Sequence, residues 1–137
     1  MEPTATDWAY LAGLIDGEGS LYLSHRHDGY ANSYHCVVFM VNTDIKMIDW
    51  IVDTFGGCRR QDMKDRRANR KPYYRLVWAD KQVLAWILKG ILPYLTTKYD
   101  VAEAMLHFLT IPRWEKEMRL IANEEFQNLK EEVKNRG

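Results

Sequence analysis

Two carboxylates and two glycines stand close together near the start of this sequence, in the segment Leu-Ile-Asp-Gly-Glu-Gly that ends at Gly19. The residues before it are mainly small or branched apolar ones at helical spacing, so a helix should carry Asp16 and Glu18 at its carboxyl end. The helix macrodipole disfavours acidic side chains at that end. A divalent metal ion is a natural cation to offset their charge, because hard cations such as Mg²⁺ prefer oxygen ligands. The segment therefore predicts a metal-dependent site at a helix end.

The same helix carries a ridge of small residues. Ala9, Gly13 and Gly17 are spaced four residues apart and fall on one helix face. Glycine inside a helix costs roughly 1 kcal/mol relative to alanine, so two glycines on one face indicate that close packing is gained in return. We expect a second backbone to approach along this face. Thr6 or Asp7 is expected to cap the start of the helix.

Residues 11–19, Leu-Ala-Gly-Leu-Ile-Asp-Gly-Glu-Gly, closely resemble the signature of the LAGLIDADG homing endonucleases, which the sequence carries once. They depart from the family name at Gly17 for Ala and at Glu18 for Asp. The resemblance implies a nuclease of intron homing that cuts double-stranded DNA. It further implies that the reaction uses Mg²⁺ and that Mn²⁺ would substitute for it. It also implies a homodimer that pairs through the motif helix. The expected interface residues are Ala9, Ala12, Gly13, Asp16 and Gly17.

The resemblance further implies roles for the motif acids. The eighth motif position binds the divalent cation at the DNA backbone in this family, and that position is Glu18 here. Gly17 would add its backbone carbonyl to the metal shell. Asp16 would be either a weaker metal partner or a hydrogen-bonded residue of the helix end.

Two further catalytic candidates also come from the resemblance. The segment Leu-Thr-Thr-Lys resembles the family segment that brings a lysine into the active site, which makes Lys98 the candidate. Family members commonly carry a polar residue just after the second strand that organises water molecules. Either Thr43 or Asn42 would serve, and Asp44 is more simply the cap of the next helix.

Basic residues are concentrated in one segment, although the chain as a whole has a formal net charge of +0. Between Arg59 and Arg75, eight Lys and Arg residues accompany two Asp residues. Binding to phosphates requires such local positive charge, so we expect a hairpin that reaches toward a DNA backbone. The basic residues expected at its turn are Arg66, Arg67, Arg70 and Lys71.

Alternation of polar and apolar residues predicts which strand residues contact bases. The polar face of residues 20–26 and the matching face of residues 73–78 should lie in the major groove. These faces carry Ser20, Tyr22, Ser24, Arg26, Tyr73 and Arg75. Arg26 and Arg75 are the expected readers of guanine, because a guanidinium can pair with O6 and N7 together.

The other two strands are less clearly patterned. In residues 34–41, the side chains of His35, Val37, Phe39 and Val41 are expected to face the core. In the third strand, residues 58–64, two registers remain open. The set that faces DNA is either Arg59, Gln61 and Met63 or Arg60, Asp62 and Lys64.

The whole sequence predicts a single α+β domain over residues 1–137, with a core at about 6–110 and a C-terminal helix at about 115–134. The order of elements is α-β-β-α-β-β-α with a four-stranded antiparallel sheet, which is the LAGLIDADG homing endonuclease fold. Helices are expected at residues 44–55, 81–88 and 98–109, with Asp44 and Asp80 as caps of the first two.

Several other functions are disfavoured. The apolar stretches fall short of the about 18 residues that a membrane span needs, and Cys36 and Cys58 lack the paired spacing of a zinc module. We find no targeting segment before the motif and expect an intracellular protein of a bacterial, phage or archaeal cytoplasm or of an organelle.

The alternative function is that of a catalytically silent RNA-splicing maturase or DNA-binding regulator of the same fold.

Overall fold

Four strands and five α-helices make up the part of the chain that this computed structural model describes, residues 2–26, 33–64 and 71–136. These elements confirm the predicted α+β class and the order α-β-β-α-β-β-α. Further helices follow the last helix of that order. The elements are α1 (Ala5–Glu18), β1 (Gly19–His25), β2 (Tyr34–Asn42), α2 (Ile45–Thr54), β3 (Arg59–Met63), β4 (Tyr73–Trp78), α3 (Lys81–Ile91), a 3₁₀ turn (Leu92–Tyr94), α4 (Tyr99–Thr110) and α5 (Lys116–Arg136). Among the helices of these ranges, none combines the length and apolar character that crossing a bilayer requires.

The strands form one antiparallel sheet in the order β1-β2-β4-β3. One face of the sheet packs against the helices and forms the core. Its fully or almost fully buried side chains are Leu21, Leu23, Val38, Met40, Leu76 and Trp78. The indole N–H of Trp78 donates to the carbonyl of Gly56 at 3.0 Å, so the largest buried side chain also satisfies its polar atom. The opposite face, called the open face below, carries Ser20, Tyr22, Ser24 and their cross-strand neighbours.

The orientation predicted for β2 is wrong. Tyr22 pairs with Val37 and Ser20 pairs with Phe39, so His35, Val37, Phe39 and Val41 share the open face. Val38 and Met40 are fully buried in the core instead, while Val37 lies outside the core cluster although only 4% exposed. The run from Cys36 to Val41 is apolar on both faces, so alternation alone could not choose between them.

The helix starts are set by side-chain caps. Asp44 and Asp80 cap α2 and α3 as predicted, each accepting two backbone N–H bonds. For α1 the expected caps were wrong: Thr4 is the N-cap, and Asp7 returns a bond from its side chain to the Thr4 backbone. This reciprocal capping box satisfies two of the N–H groups that the first turn leaves unpaired.

The last helix covers one edge of the sheet. β1 is an edge strand, and its outward carbonyls would otherwise be free to pair with another strand. Gln127 donates to the carbonyl of Leu23, and the Nζ of Lys130 donates to the carbonyl of Leu21 at 2.7 Å. Phe126 on the same helix is fully buried. α5 therefore belongs to the domain core and protects the edge of β1.

Candidate functional site

The motif helix runs directly into the first strand. α1 ends at Glu18 and β1 begins at Gly19, whose N–H donates to the carbonyl of Ile15. A Cβ atom at Gly19 would lie 2.9 Å from the Cα of Ile15, which is closer than real side chains approach. Glycine is therefore required here, and the tight junction fixes Asp16 and Glu18 between the helix end and the sheet.

The carboxylate of Asp16 is held by a segment about 80 residues further along the chain. It accepts the backbone N–H of Thr96 at 2.8 Å, the Thr96 hydroxyl at 3.0 Å and the backbone N–H of Lys98 at 2.9 Å. Hydrogen bonds to an ionised acceptor are stronger than neutral ones. Of the two roles considered for Asp16, this arrangement fits the hydrogen-bonded residue of the helix end.

The side chain of Lys98 reaches the end of α1. Its Nζ donates to the backbone carbonyl of Asp16 at 2.6 Å, which is one of the carbonyls near the helix end. Desolvation by burial lowers the pKa of Lys98, and the nearby Asp16 charge opposes that shift. Lys98 therefore supplies a cation at the negative end of the helix dipole.

Glu18 lies on the surface beside the end of β2. Its Oε2 accepts a hydrogen bond from the Nδ2 of Asn42 at 2.6 Å, and the Oδ1 of Asn42 accepts the backbone N–H of Asp44 at 2.7 Å. Asn42, rather than Thr43, is thus the polar residue in contact with the motif acid. This chain of bonds orients the Glu18 carboxylate from the start of α2.

The described residues around Glu18 hold only part of a candidate metal site. Within residues 2–26, 33–64 and 71–136, no three His, Cys, Asp or Glu side chains come together in a group that could hold a metal ion. Of the two motif acids, Glu18 is the exposed one, whereas Asp16 is half-buried and hydrogen-bonded to residues 96–98. The Glu18 carboxylate and the carbonyl of Gly17 are oxygen donors of the kind that Mg²⁺ prefers. They fit a hard cation chemically, and further ligands would have to join them.

The small-residue ridge of α1 is exposed at Gly13 and Gly17, and a Cβ atom at either glycine would meet no atom within 4 Å. Ala9 is half-buried, and Tyr10 is 53% exposed. Ala12 departs from the prediction, because it is fully buried within its own chain and has no surface to offer a partner. The exposed part of the motif helix is therefore free for the close approach of another backbone.

The open face collects most of the strand residues predicted to contact DNA. Tyr73 and Arg75 share it, since Arg75 pairs with Val41 and with Gln61. The register left open for β3 is settled: Arg60 lies on the helix side, where it pairs with Asp49 of α2 at 2.7 Å. The β3 residues on the open face are Arg59, Gln61 and Met63.

The basic turn is described only in part. Lys71 is exposed just before β4. Arg66, Arg67 and Arg70 lie outside the described residues. Arg26 follows the last residue of β1, and its backbone N–H donates to the carbonyl of Ser33 at 2.8 Å, which continues the pairing of the first two strands.

The two arginines predicted to read guanine are both held by β2 side chains that the sequence analysis placed in the core. The guanidinium of Arg75 lies over the ring of Phe39, 4.7 Å from its centroid. The Nη2 of Arg26 lies 2.6 Å from the Nδ1 of His35. The sequence pattern did not predict these two contacts. The face of the sheet on which Phe39 and His35 lie depends on the register of β2 with β1, and the pattern does not contain that register.

No family model matches the chain, whereas several solved structures resemble it. The homing endonuclease I-CvuI in complex with its target, in the presence of Ca, has a TM-score of 0.70 at 19% identity over 91% of this chain and 80% of its own. The archaeal intron-encoded homing endonuclease I-Vdi141I complexed with DNA has a TM-score of 0.66 at 14% identity, covering 96% and 84%. The LAGLIDADG meganuclease I-AabMI bound to uncleaved DNA has a TM-score of 0.65 at 15% identity, covering 89% and 42%.

Proposed function

The chain has the LAGLIDADG homing endonuclease fold, as its sequence predicted, and from this we propose that it is a site-specific homing endonuclease. It would cut both strands of a long, near-palindromic DNA target as a Mg²⁺-dependent homodimer. The observation that carries the proposal is the position of Glu18, exposed at the end of α1 and oriented by Asn42. Solved structures of this fold described as DNA complexes support the substrate class.

DNA binding is supported by the chemistry of the open face. It combines guanidinium groups with hydroxyl and amide side chains, the groups that read base edges in the major groove. The exposed Lys71 lies beside β4, where a phosphate backbone would pass. With two copies joined at α1, the two open faces would form one continuous surface whose halves carry the same basic and polar side chains.

The homodimer is supported by two independent features of α1. Gly13 and Gly17 leave a flat, exposed face on which a second helix backbone can pack closely. Among the described residues, Glu18 also joins no group of three potential metal ligands, and a two-fold axis beside α1 would bring a second Glu18 to the first. Because the axis of a two-fold dimer also relates the two halves of its site, the target should be nearly palindromic.

The chemistry divides among six residues of each subunit. Glu18 and the carbonyl of Gly17 would hold Mg²⁺, which supplies Lewis-acid stabilisation of the charge that develops on the phosphate; Mn²⁺ should substitute. Asn42 orients the Glu18 carboxylate. Lys98 brings a positive charge to the same helix end for the transition state, and Asp16 holds the segment that carries Lys98. Thr43 adjoins Asn42 and is a candidate to order water.

A selection on a randomised, partially palindromic duplex library with Mg²⁺ tests the proposal. The expected result is cleavage at one family of sites with two-fold symmetry, with both strands cut. Binding of the library without cleavage would instead support the alternative, a catalytically silent maturase or DNA-binding regulator. The next substrate would then be structured RNA.

A further inference from the structure

His35 and Arg26 form a contact on the open face that ties together the first two strands. His35 lies on β2 opposite Ser24, and Arg26 follows β1 by one residue. The Nη2 of Arg26 lies 2.6 Å from the Nδ1 of His35. The ring of Tyr22 packs edge-on against the imidazole, with centroids 5.7 Å apart. The imidazole is thus held between an aromatic ring and a guanidinium.

The direction of this hydrogen bond follows from the chemistry of arginine. A guanidinium carries only donors, so the Nδ1 of His35 must accept and can carry no proton. A neutral His35 then has its proton on Nε2. The bond uses one N–H of the Arg26 guanidinium and leaves the remaining N–H groups to face a ligand.

We propose that His35 positions Arg26 to read a guanine in each half of the DNA target, and that it makes this reading dependent on pH. The inference rests on the proposed function and adds a specificity-determining residue to it. A bidentate contact to O6 and N7 needs the guanidinium plane fixed in one orientation. The acceptor on His35 fixes that plane before DNA binds.

Protonation of His35 would abolish the contact, because a doubly protonated imidazole has no acceptor. Among the described residues, the charged groups that act on His35 favour the neutral ring. Burial lowers its pKa, and so do Arg26 beyond β1, Arg59 on β3 and Arg75 on β4. The Arg26 contact is therefore intact at neutral and alkaline pH and is lost when acid places a second cation beside the guanidinium.

Binding selections on a randomised duplex library at about pH 8 and about pH 4.5, without divalent metal, test the inference. The lower value lies well below the ordinary imidazole pKa of about 6.5, because burial and the three arginines lower the pKa of His35. The proteins are wild type, Arg26→Ala, His35→Asn and His35→Leu. Arg26→Ala identifies the base position that Arg26 reads. The Oδ1 of asparagine takes the place of Nδ1 and accepts at either pH, whereas leucine offers no acceptor. A thermal unfolding curve for each variant establishes that it is folded.

At the Arg26 position the wild type should prefer guanine about 10-fold at the higher pH and lose most of that preference at the lower one. His35→Asn should keep the preference at both values, and His35→Leu should lack it at both, with the other base positions unchanged. Sequence-selective binding in which pH and His35→Leu leave that position unaltered would overturn the inference alone. Absence of sequence-selective binding by every variant would overturn the proposed function and the inference with it.

Discussion

Lys98 contacts Asp16 through both its backbone and its side chain. The backbone N–H donates to the Asp16 carboxylate at 2.9 Å, and the Nζ donates to the Asp16 carbonyl at 2.6 Å. An acid in the last turn of a helix is ordinarily unfavourable. Here it is compensated within the chain, because Asp16 anchors the segment that delivers the compensating cation. This relationship leaves Glu18 as the motif acid available to a metal ion.

Asp16→Asn should lower the free energy of unfolding by about 1–3 kcal/mol, because an amide cannot accept all three bonds that the carboxylate takes from residues 96–98. Urea unfolding measures the change. Asp53→Asn, on the exposed surface of α2, is the matched control and should shift stability by less than about 0.5 kcal/mol. Equal effects of the two substitutions would contradict the anchoring role.

Lys98 should make stability depend on pH in the alkaline range. Its pKa lies below the ordinary 10.5 because burial disfavours the charge. Between the folded and unfolded pKa values the unfolded chain binds more protons, so the free energy of unfolding should rise with pH there. The comparison is with Lys98→Met across about pH 8 to 10.5. The stability of the wild type relative to this variant should increase with pH, and a flat or falling difference would count against the burial of the ammonium.

Gly13→Gln should abolish self-association without unfolding the chain. A side chain at Gly13 meets nothing within 4 Å of its Cβ in the monomer, and glycine is a poor helix former, so the fold should be retained or slightly stabilised. Sedimentation velocity should show a dimer for the wild type and a monomer for the variant. Glu103→Gln, at an exposed site on α4, should remain dimeric. A dimeric Gly13→Gln would show that α1 is not the interface.

Phe39→Leu should weaken binding to the selected duplex about 3- to 10-fold. The ring supports the Arg75 guanidinium through a cation–π contact, and the buried Nε of Arg75 makes no hydrogen bond within the described residues. Phe39→Tyr keeps the ring and should bind like the wild type. Fluorescence anisotropy at fixed salt concentration measures both. If the Phe39→Leu and Phe39→Tyr variants bound the duplex equally well, the stacking would have no role in holding Arg75.

The sequence predicted those elements whose pattern was unambiguous. β1 alternates between a polar and an apolar face, and Tyr73 and Arg75 of β4 alternate with residues of the core face, so these open-face residues were identified correctly. Asp44 and Asp80 were recognised as caps. β2 is apolar on both faces and β3 is charged on both, so their facing depends on cross-strand register and on the pair of Arg60 with Asp49.

The hydrogen-bonded part of the site was the least predictable from sequence. The bonds from Thr96 to Asp16 span 80 positions, and the bond from Asn42 to Glu18 spans 24. Contacts of this kind depend on how the elements pack, and local periodicity carries no information about them. The motif identified the acids and the resemblance named Lys98 and Asn42 as candidates, but the bonds that join these residues emerged only with the tertiary structure.

The most direct test of the account compares wild type with Glu18→Gln on the selected duplex, measuring binding and Mg²⁺-dependent cleavage side by side. The amide keeps an oxygen that can accept from Asn42 but removes the charge that would hold the metal ion. We predict binding within about 3-fold of wild type and cleavage slower by at least about 100-fold. Equal cleavage by Glu18→Gln, or binding without cleavage by both proteins, would contradict the assignment of Glu18 as the metal ligand of a nuclease.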